Sequence, residues 1–159
     1  MLRIHPAIRL LAIIGSISAS AAAAADFSYP ATMCVVEDGT MARSYNTAYN
    51  PSSAATAKFL CPGVKTPSST SADGWIRVKD QSNTENLSCT LTFGRQSGAD
   101  LFGVTDKQTT SGYDSDWQTL YFDALSLTAS YSSTYISCTL PKKTTFGESA
   151  VGTYTLFDS

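Results

Sequence analysis

The sequence predicts an all-β protein: a two-layer β-sandwich, jelly-roll or Greek-key, braced by disulfides and preceded by a cleaved leader. Three observations carry this reading. From residue 26 onward, 19 Ser, 20 Thr and all 17 aromatic residues share 134 positions, and Thr, Tyr, Phe and Trp suit half-buried pleated surfaces. Short runs alternate apolar and polar residues between clusters of Ser, Gly, Asn and Asp, and no long helical periodicity occurs. Four cysteines make an even set in a small chain that reads as exported.

The leader explains the export. Arg3, His5 and Arg9 form a positive start, residues 10–17 a short apolar core, and Ser18 to Ala25 a small-residue tail. This fits the small-x-small rule for signal cleavage after Ala25, with Ala23 and Ala25 as the small pair. An apolar core of about eight residues is far short of the roughly 20 needed to span a bilayer, and no later segment is apolar enough to span. The expected organisation is therefore a signal peptide at 1–25 and one sandwich domain at 26–159, secreted to the periplasm or the exterior. Cleavage removes two arginines and the only histidine, leaving 9 Lys+Arg against 13 Asp+Glu, a net charge of −4. Without imidazole, Ser-His-Asp and Cys-His catalysis and histidine-bound zinc are closed.

Cys34, Cys61, Cys89 and Cys138 are 27, 28 and 49 residues apart. Thiolate metal sites use close pairs such as C-x-x-C, so disulfides are expected. Three connectivities are open. Cys34–Cys61 with Cys89–Cys138 is favoured. The second pair is suggested by an echo, LSCTL at 87–91 and ISCTL at 136–140, each a strand with Cys at its centre. Two such strands can face each other with their cysteines inward.

The elements follow in order. Residues 32–36 form a strand, Asp38-Gly39 a hairpin turn, and 40–45 a return strand. Residues 46–51 read as a loop. Asn50-Pro51 can open a helix, but Ala57, Phe59 and Cys61 alternate and Pro62-Gly63 stops the run, so a strand is preferred. After a polar loop at 64–73, residues 75–79 give the clearest strand, with Ile76 and Val78 on one face and Trp75, Arg77 and Lys79 on the other. Leu87, Cys89, Leu91 and Phe93 share one face of the next. A turn at 94–100 and a short strand at 101–105 precede the longest polar loop, 106–116. Residues 117–123 alternate again, Leu120 and Phe122 against Trp117, Thr119 and Tyr121, and a short strand at 125–127 can follow. Strands at 135–140 and 150–157 complete about eight. In the last, Val151 and Thr153 face away from Tyr154 and Leu156.

The order of landmarks adds a resemblance. After an aromatic-Pro-Ala start come Cys34-Val35, Tyr49-Asn50-Pro51, FLCP at 59–62, GWIRVKD at 74–80, LSCTL at 87–91 and YISCTLP at 135–141. This series resembles small secreted four-cysteine, β-rich bacterial proteins, frequent in myxobacteria and their relatives. The resemblance spans nearly all of 26–159. It implies export and a disulfide-bonded β framework, and it brings no mechanism, because its motifs mark strands and sulfurs.

Paired carboxylates are the catalytic chemistry left open. Eleven stand between Glu37 and Glu148, and a retaining glycosidase needs two about 5–5.5 Å apart. Most lie in turns, where Asp is simply a good turn former. Asp114 and Asp116, in the longest loop, are weak calcium candidates against the plainer reading of a solvated turn. Trp117 and Tyr121, with Trp75 as a weaker third, fall on the outward phase of their strands and can stack on sugar rings or mark a protein interface. Nucleic acid is disfavoured by the acidic balance and by Lys142-Lys143 being the only adjacent basic pair. No phosphate loop, Rossmann glycine pattern or G-x-S-x-G elbow occurs. The expectation is an exported, non-catalytic binding or cell-surface module for a glycan or a protein, needing no cofactor. The alternatives are a small carboxylate-dependent glycoside hydrolase, a structural envelope or matrix protein, or a secreted inhibitor.

Overall fold

The computed structural model describes residues 25–64, 70–97, 100–126 and 133–158. Residues 1–24, 65–69, 98–99, 127–132 and 159 lie outside the described residues, and with them the expected leader up to residue 24 and parts of the stretches read as a loop at 64–73, a turn at 94–100 and a strand at 125–127. Among the described residues run eleven strands: β1 (Ala25–Tyr29), β2 (Val35–Asp38), β3 (Ala42–Ser44), β4 (Thr47–Tyr49), β5 (Ala57–Pro62), β6 (Ser71–Lys79), β7 (Ser88–Ser97), β8 (Asp100–Thr109), β9 (Gln118–Ser126), β10 (Ser133–Leu140) and β11 (Ala150–Asp158). A single 3₁₀ turn, Ala31–Met33, separates β1 from β2. No helix among the described residues is long and apolar enough to cross a membrane.

The strands form two antiparallel sheets. Sheet A has the order β3-β4-β11-β6-β9, and β1 pairs with the far half of β11. Sheet B has the order β2-β5-β10-β7-β8. Apart from the hairpins β3–β4 and β7–β8, every connection passes from one sheet to the other. The fold is thus a two-layer sandwich.

Alternation builds the core. Ile76 and Val78 of β6, Leu120 and Phe122 of β9, and Tyr154 and Leu156 of β11 point inward from sheet A. Phe59, Leu91, Phe93 and Ile136 meet them from sheet B, all buried. Each fully buried side chain of this size contributes about 1.5–3 kcal/mol. Tyr154 spans the layers: its hydroxyl donates to the Pro62 carbonyl at 2.7 Å, and its ring stacks on Tyr29 with centroids 5.2 Å apart. Burial drives the Tyr154 hydroxyl well above the ordinary tyrosine range, because the phenolate would lose its water.

Both disulfides lie in or beside sheet B. Cys34, just before β2, joins Cys61 of β5, and Cys89 of β7 joins Cys138 of β10. Cys89 and Cys138 are direct register partners on neighbouring strands. They brace one layer from its inner face, side by side on neighbouring strands.

Residues 71–73 and 94–97, read as loop and turn, are strand and lengthen β6 and β7. Residues 31–33 form a 3₁₀ turn where a strand was expected from 32. Four further local readings are corrected. Asp38-Gly39 does not make a hairpin: β2 pairs with β5, and the chain then crosses to sheet A. Gly39 has φ +80°, and a Cβ there would sit 2.8 Å from the Thr56 carbonyl oxygen, so it packs the crossover against β5. The hairpin forms later, between β3 and β4, with Tyr45-Asn46 at its tip, so Thr47–Tyr49 is strand where a loop was expected. The polar residues 106–109 are strand too, paired with 88–91, because an outer-edge strand needs no apolar alternation. In β11 the register shifts between Val151 and Tyr154, so both are buried. The inserted residue cancels the alternation that set Val151 against Tyr154.

Buried Asp80 joins the two layers at one end. Its Oδ1 accepts the Ser82 amide at 3.0 Å and the Ser149 hydroxyl at 3.4 Å, and its Oδ2 accepts the Leu87 amide at 2.9 Å and the Thr110 hydroxyl. The end of β6, the starts of β7 and β11 and the end of β8 all meet at this carboxyl group.

Candidate functional site

The outer face of sheet A collects the aromatic candidates. Period-two alternation that sends Ile76 and Val78 inward sends Trp75 and Arg77 outward on β6. On β9 it buries Leu120 and Phe122 and exposes Tyr121. Trp75 and Tyr121 are direct cross-strand partners, and Arg77 is the partner of Thr119. Tyr121 is 69 % exposed and Trp75 half-buried. Neither lies inside the core.

Trp117 precedes β9 and leans across β6 toward β11. Its ring centroid is 5.8 Å from the Arg77 guanidinium carbon, within reach of a cation–π contact. The indole also lies against Gly152, where a Cβ would stand 3.0 Å from Cζ3. Any larger residue at 152 would push the ring away. The strand irregularity at Gly152-Thr153 and the missing side chain make the bed on which Trp117 rests. The indole remains 38 % exposed. Trp117, Arg77, Gly152, Thr153, Asn46 and Thr47 enclose a cleft of about 110 Å³. Rings to stack on, a guanidinium to donate, and amide and hydroxyl groups around them suit a polyhydroxylated ligand with one apolar face.

Arg77, Gly152, Asn46 and Thr47 were not singled out in the sequence as site residues. Gly152 left a signal, since a glycine inside a strand pattern often marks a bulge or a close approach. Asn46 and Thr47 left none, because they lie at the start of a stretch, 46–51, read as loop, and the pairing of β4 with β3 that brings them in was not expected.

No family model matches the chain, and no curated protein matches it. Among solved structures the chain is similar to the C-terminal CBM6 of LamC, a marine laminarinase from Zobellia galactanivorans. The TM-score is 0.47 at 12 % identity, over 83 % of this chain and 98 % of that one.

The remaining candidates are placed as follows. Asp114 Oδ1 accepts the Asp116 amide at 2.9 Å, a carboxylate folded back on its own loop. Among the described residues no group of three or more Asp, Glu, Cys or His is gathered to hold a metal ion. Asp106 accepts the Asp123 amide and the Gln108 side-chain amide through one oxygen. A second groove, on the outer face of sheet B, contains one carboxylate, Glu37, paired with Lys58 at 3.0 Å. The sheet A cleft has none in its lining. Neither groove brings together the two close carboxylates that glycoside hydrolysis needs.

Proposed function

We propose that this protein is an exported, non-catalytic binding module that takes a neutral glycan on the outer face of sheet A. One observation carries the reading: the Trp117 indole, seated on Gly152 beside Arg77, shares that face with the Trp75–Tyr121 pair. The apolar face of a sugar ring stacks on an indole or phenol, while its hydroxyls take hydrogen bonds from Arg77, Asn46 and the threonines. Trp117 and Tyr121 are four residues apart, about 13 Å at strand rise, so the face suits an oligosaccharide better than a single sugar. The leader pattern and the two disulfides support export.

Tryptophan fluorescence titration with a panel of neutral polysaccharides tests this. A ligand that shifts the emission is expected, and W117A with Y121A abolishes its binding while both disulfides stay intact. Unchanged binding in the double variant overturns the reading, as does a panel with no ligand.

A further inference from the structure

We infer that the outer face of sheet B is a separate binding site, and that it takes a carboxylate-bearing polysaccharide, a chain of uronic acid sugars. The inference is independent of the sheet A proposal, since none of its residues belongs to that face. The site is a groove of about 290 Å³. Its floor is set by strand register. Leu60 of β5, Ser137 of β10, Thr90 of β7 and Lys107 of β8 stand directly opposite one another in one row across four strands. Parallel rows place Thr139 beside Ser88 and Tyr135 beside Thr92. Neighbouring strands are about 4.8 Å apart, so a chain lying across them passes Leu60 on β5, meets hydroxyl groups on the two middle strands, β10 and β7, and ends at the Lys107 amine on β8, on a spacing comparable to one sugar ring.

Charge selects the ligand within that class. Lys58 and Lys107 supply two amines to the groove against the single carboxylate of Glu37. The groove is therefore net positive, in a chain whose residues 26–159 are net acidic. Lys58 is engaged by Glu37 at 3.0 Å, whereas Lys107 has no ion-pair partner among the described residues. An unpaired amine at one end of a hydroxyl floor fits a polymer of many hydroxyls and spaced single charges. A nucleic acid presents a far denser charge and is held by many cations and by stacked aromatics. This groove offers one tyrosine and one free amine.

Isothermal titration of the disulfide-bonded protein separates the outcomes. The probes are polygalacturonate oligomers, dextran sulfate and neutral dextran. We expect binding of polygalacturonate that weakens with added salt and that neutral dextran does not compete away. K107E should weaken it about tenfold, the loss of one charge-assisted hydrogen bond. T90V keeps the side-chain shape, removes the central hydroxyl and should cost about threefold. W117A with Y121A should leave polygalacturonate affinity unchanged while removing any neutral-glycan binding, which keeps the two sites distinguishable. The inference is overturned if polygalacturonate does not bind, if K107E binds it as well as the parent, if the Trp117/Tyr121 variant loses it, or if dextran sulfate binds in its place.

Discussion

Sheet A and sheet B solve the same packing problem with different chemistry. Sheet A faces the core with Ile76, Val78, Leu120, Phe122, Tyr154 and Leu156, and has no disulfide. Sheet B gives part of its inner face to buried half-cystines: Cys61, Cys89 and Cys138 sit among Phe59, Leu91 and Ile136, with Cys34 at its edge. A half-cystine buries less apolar surface than Leu or Phe. It contributes mainly by restricting the unfolded chain. The outer faces diverge as well. Sheet A presents two indoles, a phenol and a guanidinium on a bed flattened by Gly152, while sheet B presents hydroxyls and amines in straight register rows. The comparison teaches that the covalently braced layer has the polar exterior and the apolar-packed layer the aromatic one.

The largest test of that contrast removes a brace. C89A with C138A should lower stability by about 4 kcal/mol in urea unfolding, and C34A with C61A by about 3.5 kcal/mol, the loops closed being 49 and 27 residues. Hydrogen exchange should then quicken in β7 and β10 ahead of β6 and β11. A loss below about 1 kcal/mol would mean that sheet B holds by packing alone, as sheet A does.

A smaller effect is expected at the joint between the layers. D80A leaves the Leu87 and Ser82 amides and the Thr110 and Ser149 hydroxyls without their shared acceptor, at a cost of about 3 kcal/mol. Because the joint serves both sheets, exchange should rise in β6 and β7 together. A rise in one sheet alone would show the layers to be less coupled than this network implies.

The smallest concerns Tyr154, the tie from sheet A to the Pro62 carbonyl of sheet B. Y154F should cost about 1 kcal/mol at neutral pH. The folded protein holds the Tyr154 proton more tightly than the unfolded chain does. Stability from this group is therefore complete below the ordinary tyrosine value of about 10 and is lost as pH rises beyond it. Y154F should remove part of that alkaline loss. An identical alkaline limb in thermal melts of parent and variant would contradict the assignment.

The elements most legible in the sequence were those half-buried in mid-sheet. The alternation at 75–79, 87–93 and 135–140 marks β6, β7 and β10 because each has one wet face and one dry face. The LSCTL echo marked two strands that turn out to be neighbours joined by their cysteines. The polar half of β8 was hidden, since an edge strand between solvent and a hydroxyl-rich face carries no apolar period. β3 falls within the strand read at 40–45, but its partner β4 was hidden, because a three-residue strand is too short to show an apolar period.

The same division runs through the candidate sites. Period-two alternation alone put Trp75, Trp117 and Tyr121 on the outward phase, and the cysteine spacing alone argued for disulfides over metal, because both follow from local chain geometry. Seating Trp117 on Gly152, bringing Asn46 and Thr47 to its side, and lining up Leu60, Ser137, Thr90 and Lys107 across four strands required the tertiary structure. Those neighbours come from strands far apart in the chain, and cross-strand register depends on how the two sheets close over their common core.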